Sequence, residues 1–216
     1  MLNRMTDTQT AVIDTRLVHD LHRKASSLLA EAASRPGAST AALAELRDFL
    51  VAQLRDHHQA EDDLLWPMIT AKAPELAGSL ATLGSEHERL DPALDALASA
   101  PVSEPDRTAL ASAAITLRDL VHEHLAHEEP VLFPALRDHV SEEEWDEFAE
   151  QVRTSTSPVG VHLLVGFLEQ VGTPEEVGII LARIPAPARA ALNEQAQETL
   201  RRLNGQVSDA GEETGA

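Results

Sequence analysis

The sequence predicts an all-α protein: an up-down-up-down four-helix bundle with additional C-terminal helices. Three observations predict it. The chain is rich in Ala, Leu, Glu and Arg and lacks the alternating apolar and polar residues of a half-buried strand. Proline- and glycine-bearing punctuation cuts it into long helical stretches with short connections, which make successive helices antiparallel neighbours. One histidine-bearing segment also occurs twice, as though a helix pair had been used two times.

The elements follow in order. A first helix is expected over about residues 11–34, closed by Arg35-Pro-Gly-Ala-Ser39. A second runs over about 40–71, and Ala73-Pro-Glu introduces a third over about 76–100. Pro101-Val-Ser-Glu-Pro105 is a linker, and a fourth helix spans about 106–139. Residues 11–140 are thus the bundle and 141–204 a helical extension. In the extension, Ser141-Glu-Glu-Glu144 and Thr173-Pro-Glu-Glu176 are capping-box patterns. They open helices ahead of an apolar stretch at 161–171 and a last helix ending near Leu203. The small, acidic residues 205–216 are expected to be disordered.

Composition narrows the function. The 216 residues hold 17 Lys+Arg against 36 Asp+Glu, a formal charge of −19. Nucleic acid and anionic membrane surfaces repel such a chain, so neither is expected as a partner. No stretch reaches the ~20 apolar residues of a membrane span, and the first ten residues lack the apolar core of a secretory signal. A cytoplasmic protein is therefore expected. With no cysteine there is no disulfide, thiolate zinc site, iron–sulfur cluster or cysteine nucleophile, and with no tyrosine there is no tyrosine acid or base.

The ten histidines are the unusual feature. His57-His-Gln-Ala-Glu61-Asp-Asp-Leu-Leu-Trp-Pro67 lies over His124-Leu-Ala-His-Glu128-Glu-Pro-Val-Leu-Phe-Pro134 at an offset of 67 residues. His19 and His87 each sit one helix upstream of these segments. His and Glu four residues apart share a helix face, so both can point inward. Imidazole and carboxylate suit iron, manganese or zinc. Four imidazoles and two carboxylates exceed one tetrahedral zinc; they suit two ions with the carboxylates between them. A single such motif would be ordinary surface decoration. Two in register, each ending in Leu-aromatic-Pro, are much harder to dismiss. Leu64, Leu65, Val131, Leu132, Trp66 and Phe133 are read as core packing. Pro67 and Pro134 are expected to kink or end their helices, with Pro130 a further break.

On these residues the chain resembles the hemerythrin-like (HHE cation-binding) family, in the bacterial form with a C-terminal helical extension. The segments that carry the resemblance are Leu17-Val-His19-Asp-Leu, His57–Pro67, Glu86-His87-Glu-Arg-Leu90 and His124–Pro134. The resemblance implies His19, His57, Glu61, His87, His124 and Glu128 as metal ligands, with Glu61 and Glu128 bridging. It implies two non-haem iron ions joined by an oxo or hydroxo bridge, and dioxygen, peroxide or nitric oxide as the small ligand. Two departures weigh against reversible oxygen carriage. Asp91 stands where oxygen carriers have a second histidine on the third helix, and the second motif is His-x-x-x-Glu rather than His-x-x-x-x-Asp. His19 lies 68 residues before His87 and His22 only 65, so the repeat favours His19; His22 is kept as a substitute or neighbouring group. His58 is expected to flank the site, with a seventh ligand as the alternative, His122 to face away, His127 to lie just behind it, and His139 and His162 to be ordinary surface or core residues.

Competing sites fail on spacing. No glutamate precedes a histidine by three residues, as ferritin-like centres require. His122-Glu-His-Leu-Ala-His127 is one residue too long for a zincin motif. Three functional readings stand: a di-iron protein that binds or reduces a small oxygen or nitrogen species, with peroxidase- or catalase-like turnover making it an enzyme; an iron- or oxygen-sensing module acting through a protein partner; and a structural bundle holding adventitious metal. The apolar segments 161–168 and 177–184 are read as capping the core, with a homodimer contact as the alternative.

Overall fold

The computed structural model describes residues 4–103 and 106–205, with side chains from Thr10 onward; the predicted disordered residues beyond Gly205 lie outside it. The described chain is helical and carries no strand among these residues. Its helices are α1 (Arg4–Ala33), α2 (Thr40–Ala60), α3 (Trp66–Lys72), α4 (Ala77–Ser99), α5 (Thr108–His139), α6 (Glu142–Ser155), α7 (Val161–Val171), α8 (Pro174–Ile180) and α9 (Ala186–Leu203). No described helix is long and apolar enough to cross a membrane.

Local chemistry sets the boundaries. Ser39 caps α2 by accepting from the Ala42 backbone N–H at 3.4 Å. Both predicted capping boxes form, Ser141 with Glu144 and Thr173 with Glu176. Each satisfies two backbone donors that a helix start leaves without intrahelical partners.

The second helix departs from expectation. Instead of one helix through residue 71, α2 stops at Ala60, a π turn covers Glu61–Leu65, and α3 follows. The Trp66 N–H reaches back to the Glu61 carbonyl, five residues, and the Glu61 N–H is shared between the His57 and His58 carbonyls. Pro67 explains the need. It has no N–H for the Asp63 carbonyl, and its ring would clash with that carbonyl in a regular helix. A π turn absorbs one extra residue, a device common at functional sites. By contrast α5 stays helical through Pro130 and Pro134 to His139, so Pro134 does not end it.

The bundle helices α1, α2–α3, α4 and α5 form a closed ring, α1 lying along α5. Two apolar layers fill it. The larger includes Leu17, Leu21, Leu54, Leu90, Val121 and Leu125. The second includes Leu65, Trp66, Leu83, Leu132, Trp145 and Phe148. His87 lies between Leu83 and Leu90 on α4 and Glu128 between Leu125 and Leu132 on α5, so both stand between the layers, while His19 and His22 alternate with Leu17, Leu21 and Ala25 of the larger one.

Helices α7–α9 of the extension belong to the larger layer, which also contains Leu163, Phe167, Leu168, Val177 and Leu203, while α6 enters the second through Trp145 and Phe148. Phe167 stacks on Phe49 with centroids 6.0 Å apart. Trp145 Nε1 donates to Asp14 at 3.1 Å and Arg16 pairs with Glu176 at 2.5 Å, so α6 and α8 are both fastened to α1. His162, buried, faces Glu45 at 3.1 Å, and Thr199 donates to the same carboxylate at 3.0 Å, tying α7 and α9 to α2. The α7–α9 contact is close: a Cβ on Gly166 would come within 2.3 Å of the Ala196 Cβ. In a helix interior, Gly→Ala normally stabilises by up to about 1 kcal/mol. Here the clash reverses the sign. Gly166→Ala is expected to lower thermal stability by about 1–3 kcal/mol, while Gly178→Ala, whose Cβ would meet open space, raises it. Differential scanning calorimetry of the two variants checks this.

Candidate metal centre

Burying the bundle's apolar stripes carries a polar layer inside with them. His19, His22 and Glu128 are fully buried, and Glu61, His58, His87 and His124 nearly so. His57 is the most accessible member, with 14 % of its side chain exposed. Charged or hydrogen-bonding groups in such a place need partners. Two sets of possible metal donors result. His58, His87 and His124 form one; His19, His57, Glu61 and Glu128 form the other, with donor atoms of each set within 4.8 Å of one another.

The six residues singled out from the sequence all lie in this chamber, and the two glutamates lie between the sets. One oxygen of Glu61 faces His57 Nε2 at 3.3 Å and the other faces His87 Nε2 at 3.5 Å. One oxygen of Glu128 faces His19 Nε2 at 3.6 Å and the other faces His124 Nε2 at 3.2 Å.

His58, expected to flank the site with a seventh ligand as the alternative, is inside it. Its ring stacks on His87 with centroids 4.3 Å apart. Neighbouring helical residues point about 100° apart, and His57 and His58 accordingly serve different donor sets. His58 brings the set on His87 and His124 to three imidazoles, so Asp91 leaves no shortage there. His22 is buried with its ring centroid 4.8 Å from that of His57.

The rings are held from outside. Glu129 accepts from His19 Nδ1 at 3.2 Å and pairs with Arg23 at 2.6 Å. Asp62 accepts from His87 Nδ1 at 3.0 Å, and Glu86 from His124 Nδ1 at 3.0 Å. Glu86 also meets exposed His127 at 2.9 Å. A carboxylate accepts only, so each Nδ1 carries the proton and each Nε2 turns its lone pair inward. Burial works against ionising Glu129, yet hydrogen bonds from His19 and Arg23 hold its carboxyl at about 2. Asp62→Asn or Glu86→Gln is expected to weaken metal binding about 10–100-fold without loss of helicity. Metal-chelator competition with circular dichroism on the same samples measures both.

Aromatic residues continue the pattern. Phe133 stacks on His19 at 6.0 Å and Trp66 on His87 at 6.4 Å, so the aromatic of each repeated motif lies against the lone histidine of the other half of the repeat. Their packing role is therefore directed at the imidazoles. His122 faces away, near Ser27 and the Arg23 carbonyl, as expected.

The donors fit a cation. Among the described residues, Nε2 of His19 and His57 and all four oxygens of Glu61 and Glu128 are buried without a hydrogen-bond partner. His87 Nε2 and His124 Nε2 face each other at 3.2 Å. With both Nδ1 protons committed outward, two lone pairs would confront each other unless a proton or a cation stood between them.

Burial also sets the protonation of these groups. It pulls His22 down to about 3, and holds His57 and His58 well below the usual 6.5; neighbouring imidazoles add to the effect. Glu61 goes the other way, pushed well above 4.5 by burial and then by Glu128. The unfolded chain takes protons on these three histidines below pH 6.5 while the folded metal-free chain resists them. Their contribution to stability is therefore complete above 6.5 and lost as pH falls from there toward about 3 for His22. Glu61 has the opposite sense: its contribution is present below 4.5 and lost as pH rises through its folded value. Chelator-stripped protein is expected to lose melting temperature between pH 7.5 and 5, with a shallower decline in His22→Leu.

Comparison with known proteins covers the same stretch of the chain. The family model for the hemerythrin HHE cation binding domain matches residues 14–136, which span the chamber. No curated protein and no solved structure matches the chain.

Proposed function

Because the chain belongs to the hemerythrin HHE cation-binding domain family, we propose that the chamber holds two non-haem iron ions and that the loaded protein binds or reduces a small oxygen or nitrogen species: dioxygen, peroxide or nitric oxide. The observation that carries this reading is the placement of the two glutamates. Each presents one oxygen to each imidazole set. His19 and His57 would hold one ion; His58, His87 and His124 the other; Glu61 and Glu128 would be shared. Iron held there would supply one-electron redox chemistry. The protein's part is to keep every Nε2 deprotonated and turned inward, and to exclude bulk water between two apolar layers. The donor set of imidazole and carboxylate, without thiolate, favours iron or manganese over softer ions.

Anaerobic reconstitution with ferrous iron, followed by metal analysis and near-ultraviolet absorption on admitting air, tests it. About two irons per chain, with an air-induced absorption change that His57→Ala and His124→Ala abolish, supports the reading; one zinc indifferent to those substitutions sinks it. Peroxide, nitric oxide and oxygen are then tested in turn.

One observation favours a second reading, an iron- or oxygen-sensing module with a protein partner. Helix α1, which carries His19, is also the rib to which α6 and α8 are fastened through Asp14 and Arg16. Metal-dependent hydrogen exchange in residues 141–205 would favour the sensor; exchange unchanged there would leave only the reactive centre.

A further inference from the structure

His22 is buried yet its hydrogen-bonding groups are unused. It is fully enclosed, and among the described residues neither Nδ1 nor Nε2 has a hydrogen-bond partner. Burying an imidazole with both nitrogens unmatched is costly, and such groups in a folded core call for an explanation. No outer carboxylate holds it, unlike His19, His87 and His124. It lies one turn after His19 on the same face of α1, with its ring against His57, on the side of the chamber that has only two imidazoles. We propose that His22 is an exchangeable third imidazole for the ion held by His19 and His57.

The proposal rests on the two-ion reading and deepens it. Its nitrogens stand outside the tight set of His19, His57, Glu61 and Glu128 donors. An outer carboxylate that would lock its tautomer is missing. Both features suit a donor that engages and leaves, where His58, His87 and His124 form a set of three that needs no such help. With His22 engaged, both halves carry three imidazoles and two shared carboxylates. With His22 withdrawn, the half beside His57 gains a vacant position, and His57 is the most accessible residue of the chamber. The ion beside His19 and His57 is therefore the one assigned to meet a small ligand, and His22 competes with that ligand for the place.

Cobalt(II) is the probe. Its visible absorption strengthens as coordination number falls, so it reads donor loss without turnover. Chelator-stripped wild-type, His22→Leu and His22→Gln proteins, each full length, are titrated with cobalt(II) and then with azide. The expected result is two ions bound by all three. In the variants one of the two binds at least about tenfold more weakly, the visible band grows, and azide binds more tightly. Soluble imidazole added to His22→Ala should reverse the band change. His22→Gln keeps a polar side chain of similar length and carries the test if His22→Leu loses its helicity. Isotherms, spectra and azide binding identical to wild type in the folded variant would overturn the proposal and leave the two-ion reading intact. Wild-type protein binding fewer than two ions would overturn that reading and this one with it.

Discussion

Replacing Glu128 by glutamine is expected to reduce bound metal from about two ions per chain to at most one, and Glu61→Gln to do the same. Glutamine keeps the shape of the side chain, so packing between the apolar layers survives. It replaces one of two anionic oxygens with an NH2 group that can only donate. Glu128 presents its oxygens to His19 and His124, 3.6 and 3.2 Å away, and loses one of the two faces. Glu61 presents its oxygens to His57 and His87, 3.3 and 3.5 Å away, and loses likewise. Each substitution also removes a buried negative charge that helps offset two dications. The metal-free Glu61→Gln protein should be as stable as the parent or more so, because burial and Glu128 disfavour the Glu61 carboxylate and a neutral amide costs less to bury. Metal analysis after gel filtration, with thermal melts of the stripped proteins, gives both quantities. Two ions retained at unchanged affinity in both variants would mean the carboxylates are not shared.

Removing metal is the second large effect. Stripped protein leaves Nε2 of His19 and His57 and the oxygens of both glutamates buried without hydrogen-bond partners. Binding to the folded state alone stabilises by about 4 kcal/mol when free metal is a thousandfold above its dissociation constant. For a chain of this size each kcal/mol moves the melting temperature by about 2–4 °C. A rise of about 8–16 °C on loading is therefore expected, and it should vanish in the Glu61→Ala, Glu128→Ala double variant. Calorimetry with and without ferrous iron under anaerobic conditions measures it. Equal melting temperatures would show that the chamber is not a tight metal site, whatever its geometry.

The outcome at particular residues shows what a single sequence carries. Helix periodicity, caps and the repeated His-x-x-x-Glu segment depend on neighbours a few positions apart, so the bundle, both capping boxes and the gathering of His19, His57, Glu61, His87, His124 and Glu128 were legible. His58 was not. Its place beside His87 and His124 depends on how α2 is rotated against α4 and α5, which local periodicity does not encode. Pro67 was a usable signal for a break, but Pro130 and Pro134 carry the same signal in α5, where the helix continues.

Composition and spacing alone thus dictate an acidic helical bundle with two matched pairs of inward donors, because amphipathic periodicity and i,i+4 geometry are local properties of a helix. Three-dimensional packing settled the rest: that each glutamate faces both imidazole sets, that Asp62, Glu86 and Glu129 hold the rings from outside, that Trp66 and Phe133 lie on His87 and His19, and that the extension shares the bundle's core. Those contacts join residues far apart in the chain. Their formation depends on how helices rotate and slide when their apolar faces are buried together, a choice no local pattern encodes.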